Sequence, residues 1–390
     1  MPSRTVAASS GGYGEEMRIG IDFHAAEREG TGNCTYIRNI VEQIVRIGAG
    51  HQYFLYVTDA TNPYYDRFHP LGHVFLRPLA SRSPFIRMLL LGLQTFRDRL
   101  DVLHATYYAP PVYRGKLVLT VHDLSFRHIP ESFSAFDRIK DLVLVPIYMK
   151  RAKKILTVSE YSRRDIIETY RVPPSRVCVG YNGADPIFTP VADRVKAVEI
   201  LRRYGIADDR GYILFVGRIN KRKNLTGLVN AFNLLKETKG IRQRLVIVGN
   251  KDYLPPGDEA VITSSPSIID ILFTGYVPHE HLPVLYGLAD VFVYPSVYEG
   301  FGLPCLEAMA CACPVVSSDC TSIPEVVGDA GILIDPAKVD QLAGAIYRVL
   351  SDRGLRAEFV RSGPEKAKEF SWESAAVKVL SVLAELEKKT

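Results

Sequence analysis

The stretch DVFVYPSVYEGFGLPCLEAMA, residues Asp290 to Ala310, combines three local signals in one short run. DVFVYPS has the composition of a strand, and the residues from Pro304 onward read as a helix opened by proline. A Gly-Phe-Gly turn stands between them. Such a unit aims unpaired backbone N–H groups and the positive end of a helix dipole at one point, which suits a phosphate group. In an open α/β sheet, these loops line the crevice at the carboxyl ends of the strands.

Two glutamates, Glu299 and Glu307, flank this turn. We interpret them as bracketing one elongated ligand, because carboxylates beside a phosphate loop can accept hydrogen bonds from hydroxyls on either side of the phosphates. The alternative is a pair of solvated glutamates at a helix start, where acidic residues are favoured in any case.

The same alternation of strands and helices runs through the chain. The first half has strand-like runs at 17–24, 53–59, 102–106, 116–123 and 154–159, and the second at 211–219, 244–250, 270–277, 290–296 and 314–319. A segment rich in Pro, Gly and Asp at 182–190 suits an interdomain connection. The sequence therefore predicts an α/β protein with two Rossmann-like domains, 17–188 and 189–371, after a flexible leader at 1–16.

Composition limits the class of protein. The 390 residues, 47% hydrophobic and 23% charged, suit two globular domains, and no apolar run reaches the roughly 18 residues needed to span a bilayer. A net charge of +5 permits attraction to phosphate or anionic lipid, and we expect no nucleic-acid partner. Without an export signal, the six cysteines are interpreted as reduced thiols of a cytoplasmic protein. The cluster from Cys305 to Cys320 is interpreted as core packing rather than a metal site.

A basic loop, Gly217 to Asn224, follows the apolar strand YILFV. Arginine offers a planar fork for phosphate oxygens and lysine a mobile point charge, so a loop at a strand's carboxyl end is suited to hold a diphosphate. A solvated basic turn is the alternative.

Two weaker signals lie in the first half. His122 and Asp123 end the strand LVLTV, where the histidine could exchange a hydrogen bond with a ligand and the aspartate could orient it; a structural histidine is the alternative. Gly30-Thr31-Gly32 allows close approach of backbone to a ligand, or is a plain tight turn.

Together these residues resemble the retaining glycosyltransferases of family 4, which have the two-Rossmann GT-B fold. The run from Glu299 to Glu307 looks like the E-x7-E motif of that family, and it continues through Pro324 to Pro336. The similarity covers nearly the whole chain from Met17. It implies that a final helix, 372–390, crosses back to complete the first domain.

The resemblance also implies roles for single residues. Glu299 would contact the hydroxyls of the donor sugar, and Glu307 would accept from the ribose of the nucleotide. His122 would lie near the transferred sugar, with Glu299, Arg218 and Lys223 as the other catalytic residues. The remaining donor-binding positions are the backbone at Gly300, Phe301, Gly302 and Leu303, the diphosphate pair Arg218 and Lys223, the main chain at Val277 for the base, and Gly32 in the N-terminal loop.

The runs GIDFHAAEREGTGNCTYIRNI and HDLSF are similar to bacterial mannosyltransferases that build O-antigen and related polysaccharides. This similarity implies transfer of mannose from GDP-mannose to a lipid-linked or oligosaccharide acceptor in cell-surface polysaccharide synthesis, lipopolysaccharide included. The fold implies no metal or other cofactor, and retention implies front-face attack. The alternatives are a donor such as UDP-glucose, UDP-galactose or UDP-N-acetylglucosamine, a sugar-nucleotide 2-epimerase, and a non-catalytic sugar-nucleotide-binding subunit.

Membrane contact is a separate hypothesis. The segments Pro84 to Arg99 and Lys150 to Lys154 combine apolar and basic residues, as peripheral helices do at an anionic membrane. Such contact would be with the inner face of the plasma membrane. The alternative is a core helix followed by a solvated turn.

Overall fold

The computed structural model describes residues 16–28, 30–79, 81, 83–206 and 209–387, and within them the strands form two parallel sheets. The first sheet contains β1 (Arg18–Asp22), β2 (Gln52–Val57), β3 (Val74–Pro78), β4 (Val102–Thr106), β5 (Lys116–Thr120), β6 (Lys154–Thr157) and β7 (Val177–Val179). The second contains β8 (Tyr212–Val216), β9 (Arg244–Val248), β10 (Ile271–Gly275), β11 (Val291–Tyr294), β12 (Val315–Ser318) and β13 (Gly331–Ile334). The predicted α/β class with two Rossmann-like units is confirmed.

Helices connect the strands. They are α1 (Gly32–Ile47), α2 (Pro84–Arg97), α3 (Ser125–His128), α4 (Ala135–Arg151), α5 (Glu160–Tyr170), α6 (Arg194–Arg203), α7 (Leu225–Lys239), α8 (Pro256–Thr263), α9 (Leu282–Gly287), α10 (Leu303–Ala310), α11 (Ile323–Val327), α12 (Val339–Ser351), α13 (Arg353–Ala367) and α14 (Trp372–Glu387). In the described part of the chain, none of them is both long enough and apolar enough to cross a bilayer.

The strands that the sequence pattern missed lie at sheet edges, although the fourth edge strand, β10, was predicted. The strand order is β3-β2-β1-β4-β5-β6-β7 in the first sheet and β10-β9-β8-β11-β12-β13 in the second. Central strands such as β8 are buried along their whole length, because helices cover both faces of a parallel sheet. The three strands absent from the predicted pattern are β3, β7 and β13, and all three are partly exposed edge strands.

The last helix packs on the first sheet's layer of helices. Helix α14 lies along α1, where the rings of Tyr36 and Trp372 meet edge to face with centroids 6.2 Å apart. Lys154 Nζ lies 2.5 Å from a carboxylate oxygen of Glu385. The domain limits at residues 188 and 371 stay predictions, and the predicted leader, apart from Glu16, lies outside the described residues.

Candidate active site

The glycine turn after β11 touches the end of β5 in the other sheet. A Cβ atom placed on Gly300 would lie 2.9 Å from Asp123 Oδ2 and 3.0 Å from the carbonyl oxygen of His122. Two residues later, Gly302 is the N-cap of α10 and has a φ of +105°, which favours glycine. The carboxyl ends of the two sheets therefore face one another across a narrow cleft.

Glu299 is the centre of a buried polar cluster on this loop. Its Oε1 accepts hydrogen bonds from Lys223 Nζ at 2.5 Å, Ser296 Oγ at 2.6 Å and Tyr294 OH at 3.2 Å. Burial favours the neutral acid, but the neighbouring charges of Lys223 and Arg222 outweigh it and lower the pKa of Glu299 to about 2. The carboxylate is therefore ionised at neutral pH.

Lys223 reaches Glu299 from the end of β8. It ends a short 3-10 turn, Lys221–Lys223, after which Asn224 caps α7 by accepting a hydrogen bond from Gly227 N. The Lys223 side chain is buried, and its Nζ also donates to Tyr294 OH. Burial lowers the pKa of Lys223 to about 8, with the attraction of Glu299 acting against that shift.

Arg222 joins the two sides of the cleft. Its Nη1 lies 3.8 Å from Glu299 Oε2 and 3.9 Å from Asp123 Oδ2, so one guanidinium stands between a carboxylate of each half. Together Arg222 and Lys223 balance the charges of Glu299 and Asp123. The result is a buried, electrically balanced cluster at the point where the halves meet.

Glu307 occupies a different environment on α10. Tyr286 OH donates a 2.9 Å hydrogen bond to Glu307 Oε2. Burial raises the pKa of Glu307 to about 7, and Tyr286 and the nearby His279 only partly offset that rise. The two glutamates of one motif thus differ in charge state, and Glu307 changes its protonation near neutral pH.

His122 is buried beside two aromatic rings. Its ring centroid lies 4.6 Å from that of Tyr36 and 5.7 Å from that of Tyr107. Burial lowers the pKa of His122 to about 4, so its imidazole is neutral at pH 7. Among the described residues, nothing forms a hydrogen bond with His122 Nε2. A neutral imidazole in this position can exchange one hydrogen bond with a ligand.

Further bonds cross the cleft beside the site. Both carboxylate oxygens of Glu325 accept backbone N–H groups at the start of α5, from Glu160 at 2.8 Å and Tyr161 at 2.6 Å. Tyr298 OH donates to Asp165 Oδ2 at 3.0 Å and accepts from Leu124 N at 3.3 Å. These contacts hold the two halves together around Gly300.

Comparison with known proteins identifies the family of this chain. Residues 32–188 match the family described as Glycosyltransferase Family 4, and residues 198–366 match Glycosyl transferases group 1. The chain is 36% identical over 294 residues to O-antigen chain mannosyltransferase B of Escherichia coli, covering 73% of this chain and 74% of that protein. The chain belongs to glycosyltransferase family 4. It is also 32% identical over 424 residues to a D-inositol 3-phosphate glycosyltransferase of Acidothermus cellulolyticus, covering 97% and 92% of the two chains.

Solved structures agree on the architecture of this glycosyltransferase. Sucrose-phosphate synthase from Thermosynechococcus elongatus superposes with a TM-score of 0.75 at 20% identity, covering 96% of this chain and 100% of that one. At this identity the similarity concerns the fold alone, which is GT-B. The predictions of the family, the fold and a glycosyltransferase enzyme of the hexosyltransferase kind are confirmed.

The structure brings several predicted residues of the glycosyltransferase together. Lys223, Glu299, Gly300 and His122 surround the meeting point of the two sheets. Glu307 lies further along α10. Arg218 is exposed two residues after β8, and Arg222 takes the position beside Glu299.

The other predicted positions fall into two groups. Phe301 and Val277 are buried, Phe301 by packing on Tyr181, and Leu303 is the first residue of α10. Gly32 is exposed as the first residue of α1, with Thr31 as the capping residue. Its neighbour Gly30, with a φ of +73°, is the residue whose backbone requires glycine in that turn.

Arg222 is the residue that the sequence reasoning missed. It lies in a run of three basic residues, of which Lys221 is exposed, Arg222 partly buried and Lys223 buried. A tight turn points consecutive side chains in different directions, so the run does not reveal which of them faces the cleft. The signal that could have identified it is its position immediately before the lysine of the predicted diphosphate loop.

Proposed function

We propose that this glycosyltransferase transfers mannose from GDP-mannose, with retention of configuration, to a lipid-linked or oligosaccharide acceptor in the synthesis of a cell-surface polysaccharide. The observation that carries this proposal is the 36% identity, over 294 residues, to O-antigen chain mannosyltransferase B of Escherichia coli. The buried polar cluster supports it, because it supplies charged groups suited to a nucleotide sugar at the carboxyl ends of the strands.

The donor would lie along the loop from Glu299 to Glu307. Ribose hydroxyls would donate to Glu307, and hydroxyls of the transferred sugar to Glu299. The diphosphate would lie between them, at the start of α10 and beside Arg222, Lys223 and the exposed Arg218. Because Lys223 Nζ already contacts Glu299, the diphosphate would compete with this carboxylate for the ammonium group.

The reaction would need no nucleophile from the protein. Glu299 Oε1 is bonded to three donors and Arg222 Nη1 lies 3.8 Å from Oε2, so the carboxylate serves as the counter-charge of two cations rather than as a nucleophile. In front-face attack, the acceptor oxygen bonds to the anomeric carbon as the bond to the leaving phosphate oxygen breaks, and that phosphate takes the acceptor's proton. Arg222, Lys223 and the helix dipole would stabilise the departing diphosphate without a metal ion.

Calorimetric titration with GDP, UDP, GDP-mannose, UDP-glucose and UDP-N-acetylglucosamine, in the absence of metal, tests the donor. A preference for GDP and GDP-mannose is expected. A preference for a UDP compound would keep the enzyme class and overturn mannose transfer. Binding to none of the five would favour a non-catalytic subunit.

Substitution of the two glutamates tests their separate roles. Glu307→Ala is expected to weaken nucleotide binding, because the ribose loses its acceptor. Glu299→Ala is expected to reduce turnover more than binding. If both variants keep the affinity and rate of the wild-type enzyme, the assignment of this loop is wrong.

We also propose that the first domain contacts an anionic membrane peripherally. Helices α2 and α4 both expose a stripe of large apolar side chains at helical spacing: Phe85, Ile86, Leu89, Leu93 and Phe96 on α2, and Phe136, Ile139, Val143 and Ile147 on α4. Phe136 is 78% exposed and Phe85 is 71% exposed. Helix α2 lies in the connection from β3 to β4, and α4 in the connection from β5 to β6. Both connections run in the same direction along the sheet and are expected to be right-handed, so the two helices cover the same face of it.

Basic residues accompany this apolar surface. Lys150 and Arg151 end α4, and Lys153 and Lys154 follow. Sedimentation with phosphatidylglycerol vesicles at low salt should retain the protein, and the double variant Phe136→Ser, Ile139→Ser should release it. Val195→Ser, which removes an equally exposed apolar residue on α6, is the control. Failure of the wild-type chain to sediment would end the membrane hypothesis.

A further inference from the structure

A second cavity opens at the carboxyl ends of β1 and β2, away from the predicted donor loop. It has a volume of about 370 Å³, and its lining includes His24, Arg28, Thr58 and Arg87. His24 follows β1, Thr58 follows β2, and Arg87 enters from the first turns of α2. Because the loops at this edge of a parallel sheet hold ligands, the cavity lies where a ligand of the first domain would bind.

Arg87 is the unusual residue of this cavity. Its side chain is only 7% exposed, and its Nε atom is buried without a hydrogen bond partner. Across the described residues, Arg87 forms no ion pair within 4.0 Å. The charge of Arg87 helps to lower the pKa of the buried Asp22, whose carboxylate lies beyond ion-pair distance. A guanidinium carries five N–H donors and stays charged in proteins, so leaving the buried Nε without a partner costs free energy that an anionic ligand would recover.

The acidic groups around the cavity already have donors of their own. Asp22 Oδ1 is bonded to His24 Nδ1 at 2.6 Å. Glu27 Oε1 accepts from Thr58 N, Asp59 N and Tyr65 OH. Asp59, which also lines the cavity, accepts at Oδ1 from the backbone N–H and the hydroxyl of Thr61. These carboxylates therefore hold the loops that form the walls of the cavity.

Helix α2 has an unusual distribution of side chains. Its outward face carries the exposed Phe85, Leu89, Leu93 and Phe96, whereas the charged Arg87 points into the protein. On an ordinary surface helix the arginine would face water and the apolar residues the core. The inward arginine is thus held at the cavity by the fold, and the exposed Arg28 also lines the cavity.

The cavity is within reach of the proposed reaction centre. In the first sheet β1 is separated from β5 by β4 alone, so the residues after β1 and after β5 lie about 10 Å apart at the same edge. His122 follows β5 and His24 follows β1. This separation is about the length of two sugar units with their linkages.

We propose that Arg28, Arg87 and His24 bind a phosphate group of the acceptor substrate. The inference rests on the proposed function, because it places the acceptor's hydroxyl at His122 and its phosphate about 10 Å away. Arginine forks match phosphate oxygens bidentately, and a phosphate would supply Arg87 with the hydrogen bonds that it lacks. The phosphate could belong to a lipid carrier or to a soluble sugar phosphate.

The test is calorimetric titration of the full chain with three probes: α-mannose 1-phosphate, farnesyl diphosphate and the neutral methyl α-mannoside. GDP is kept in excess so that the donor side is occupied. The affinity for at least one phosphate probe should exceed the affinity for the mannoside by a factor of about ten or more. The tighter phosphate probe identifies the source, lipid or soluble sugar. Equal binding of all three probes would overturn the proposal.

Variants separate this cavity from the rest of the basic surface. Arg87→Gln and Arg28→Gln should each weaken phosphate binding about tenfold, whereas Arg97→Gln, at the far end of the same helix, should leave it unchanged. Arg28 is exposed, so its variant remains informative if Arg87→Gln fails to fold. Unchanged phosphate binding in both cavity variants would refute the site.

Titration with GDP alone distinguishes a failure of the phosphate site from a failure of the proposed function. If GDP fails to bind but phosphate probes bind in an Arg87-dependent manner, the donor assignment is lost and the phosphate site stands. If GDP binds but the binding of the phosphate probes does not depend on Arg87, the donor assignment stands and the phosphate site is lost.

Discussion

Lys223 Nζ lies 2.5 Å from Glu299 Oε1, and both side chains are at least nine-tenths buried. The two residues lie in the loops that follow β8 and β11, which are neighbours in the second sheet. A buried pair of this kind contributes little net stability, but it leaves an uncompensated charge when one partner is removed. The pair therefore links the stability of the second domain to its predicted donor site.

Lys223→Met should destabilise the enzyme by about 3 kcal/mol, because Glu299 would stay buried without its closest cation. Urea unfolding measures this change. Lys221→Met removes the same charge from an exposed position of the same turn and should change the free energy of unfolding by less than about 0.5 kcal/mol. Equal stability of the two variants would show that the Lys223–Glu299 pair is not a buried pair in solution.

The affinity for GDP-mannose should depend on pH through Glu307. With a raised pKa of about 7, Glu307 is protonated below that pH and then cannot accept from both ribose hydroxyls. Affinity should therefore fall about tenfold between pH 8 and pH 6, and Glu307→Gln should remove this step. GDP-mannose suits the titration because its diphosphate diester keeps its charge throughout this range.

Other groups face Glu307, namely Tyr286, His279 and Asp185. The hydrogen bond that His279 Nε2 donates to the Asp185 carboxylate raises the pKa of His279, so the charge of His279 is a second source of pH dependence. His279→Gln is the control for this contribution. If it abolishes the pH step and Glu307→Gln preserves it, the histidine is the titrating group.

Gly300→Ala should slow turnover without unfolding the enzyme. Gly300 lacks a positive φ, so its backbone tolerates alanine, but the added Cβ would press on Asp123 and the His122 carbonyl across the cleft. We expect kcat/KM to fall about tenfold to a hundredfold, with the midpoint of thermal unfolding unchanged.

The matched control for Gly300→Ala is Gly344→Ala, on the exposed face of α12, where an added Cβ meets nothing within 4 Å. It should stabilise the enzyme by about 0.5 to 1 kcal/mol and leave kcat/KM unchanged. Wild-type turnover in Gly300→Ala would mean that the two halves do not close as tightly during catalysis as they do in this structure.

Glu325→Ala should favour an open cleft. Its carboxylate bonds two N–H groups at the start of α5, where the helix dipole adds about 1 to 2 kcal/mol in a partly buried geometry. Small-angle scattering should show a larger radius of gyration, which returns towards the wild-type value when GDP-mannose is added. Asp329→Ala, an exposed carboxylate shortly after, is the control, and an unchanged radius for Glu325→Ala would argue against this role.

The sequence was informative about the fold wherever strands are buried on both faces. The runs of β2 and β8 are almost continuously apolar because helices cover both sides of the sheets, and these strands were predicted correctly. The edge strands β3 (VFLRP) and β13 (GILI) were not predicted, although their residues are mostly apolar, because both are short and lie beside turn residues. Their pairing with a neighbour, which the local pattern does not contain, makes them strands.

The same limit applies to the candidate site. Lys223 and Glu299 could each be proposed from a motif, but their contact depends on the adjacency of β8 and β11. The approach of Gly300 to Asp123 depends on how the two domains meet, and the inward orientation of Arg222 depends on a three-residue turn. Each of these relations is set by tertiary packing, which a single sequence does not record.

The close contact between Gly183 and the start of α14 has a mechanical consequence. A Cβ on Gly183 would lie 2.3 Å from Trp372 N, so the chain passes between the halves at two places that touch each other. Because the two segments that connect the halves lie side by side, the halves can rotate relative to each other about a single hinge axis. Connecting segments that lay far apart would block this rotation. Changes in a few backbone torsions near Gly183 and Ser371 can therefore open and close the cleft, while the two sheets move as rigid bodies.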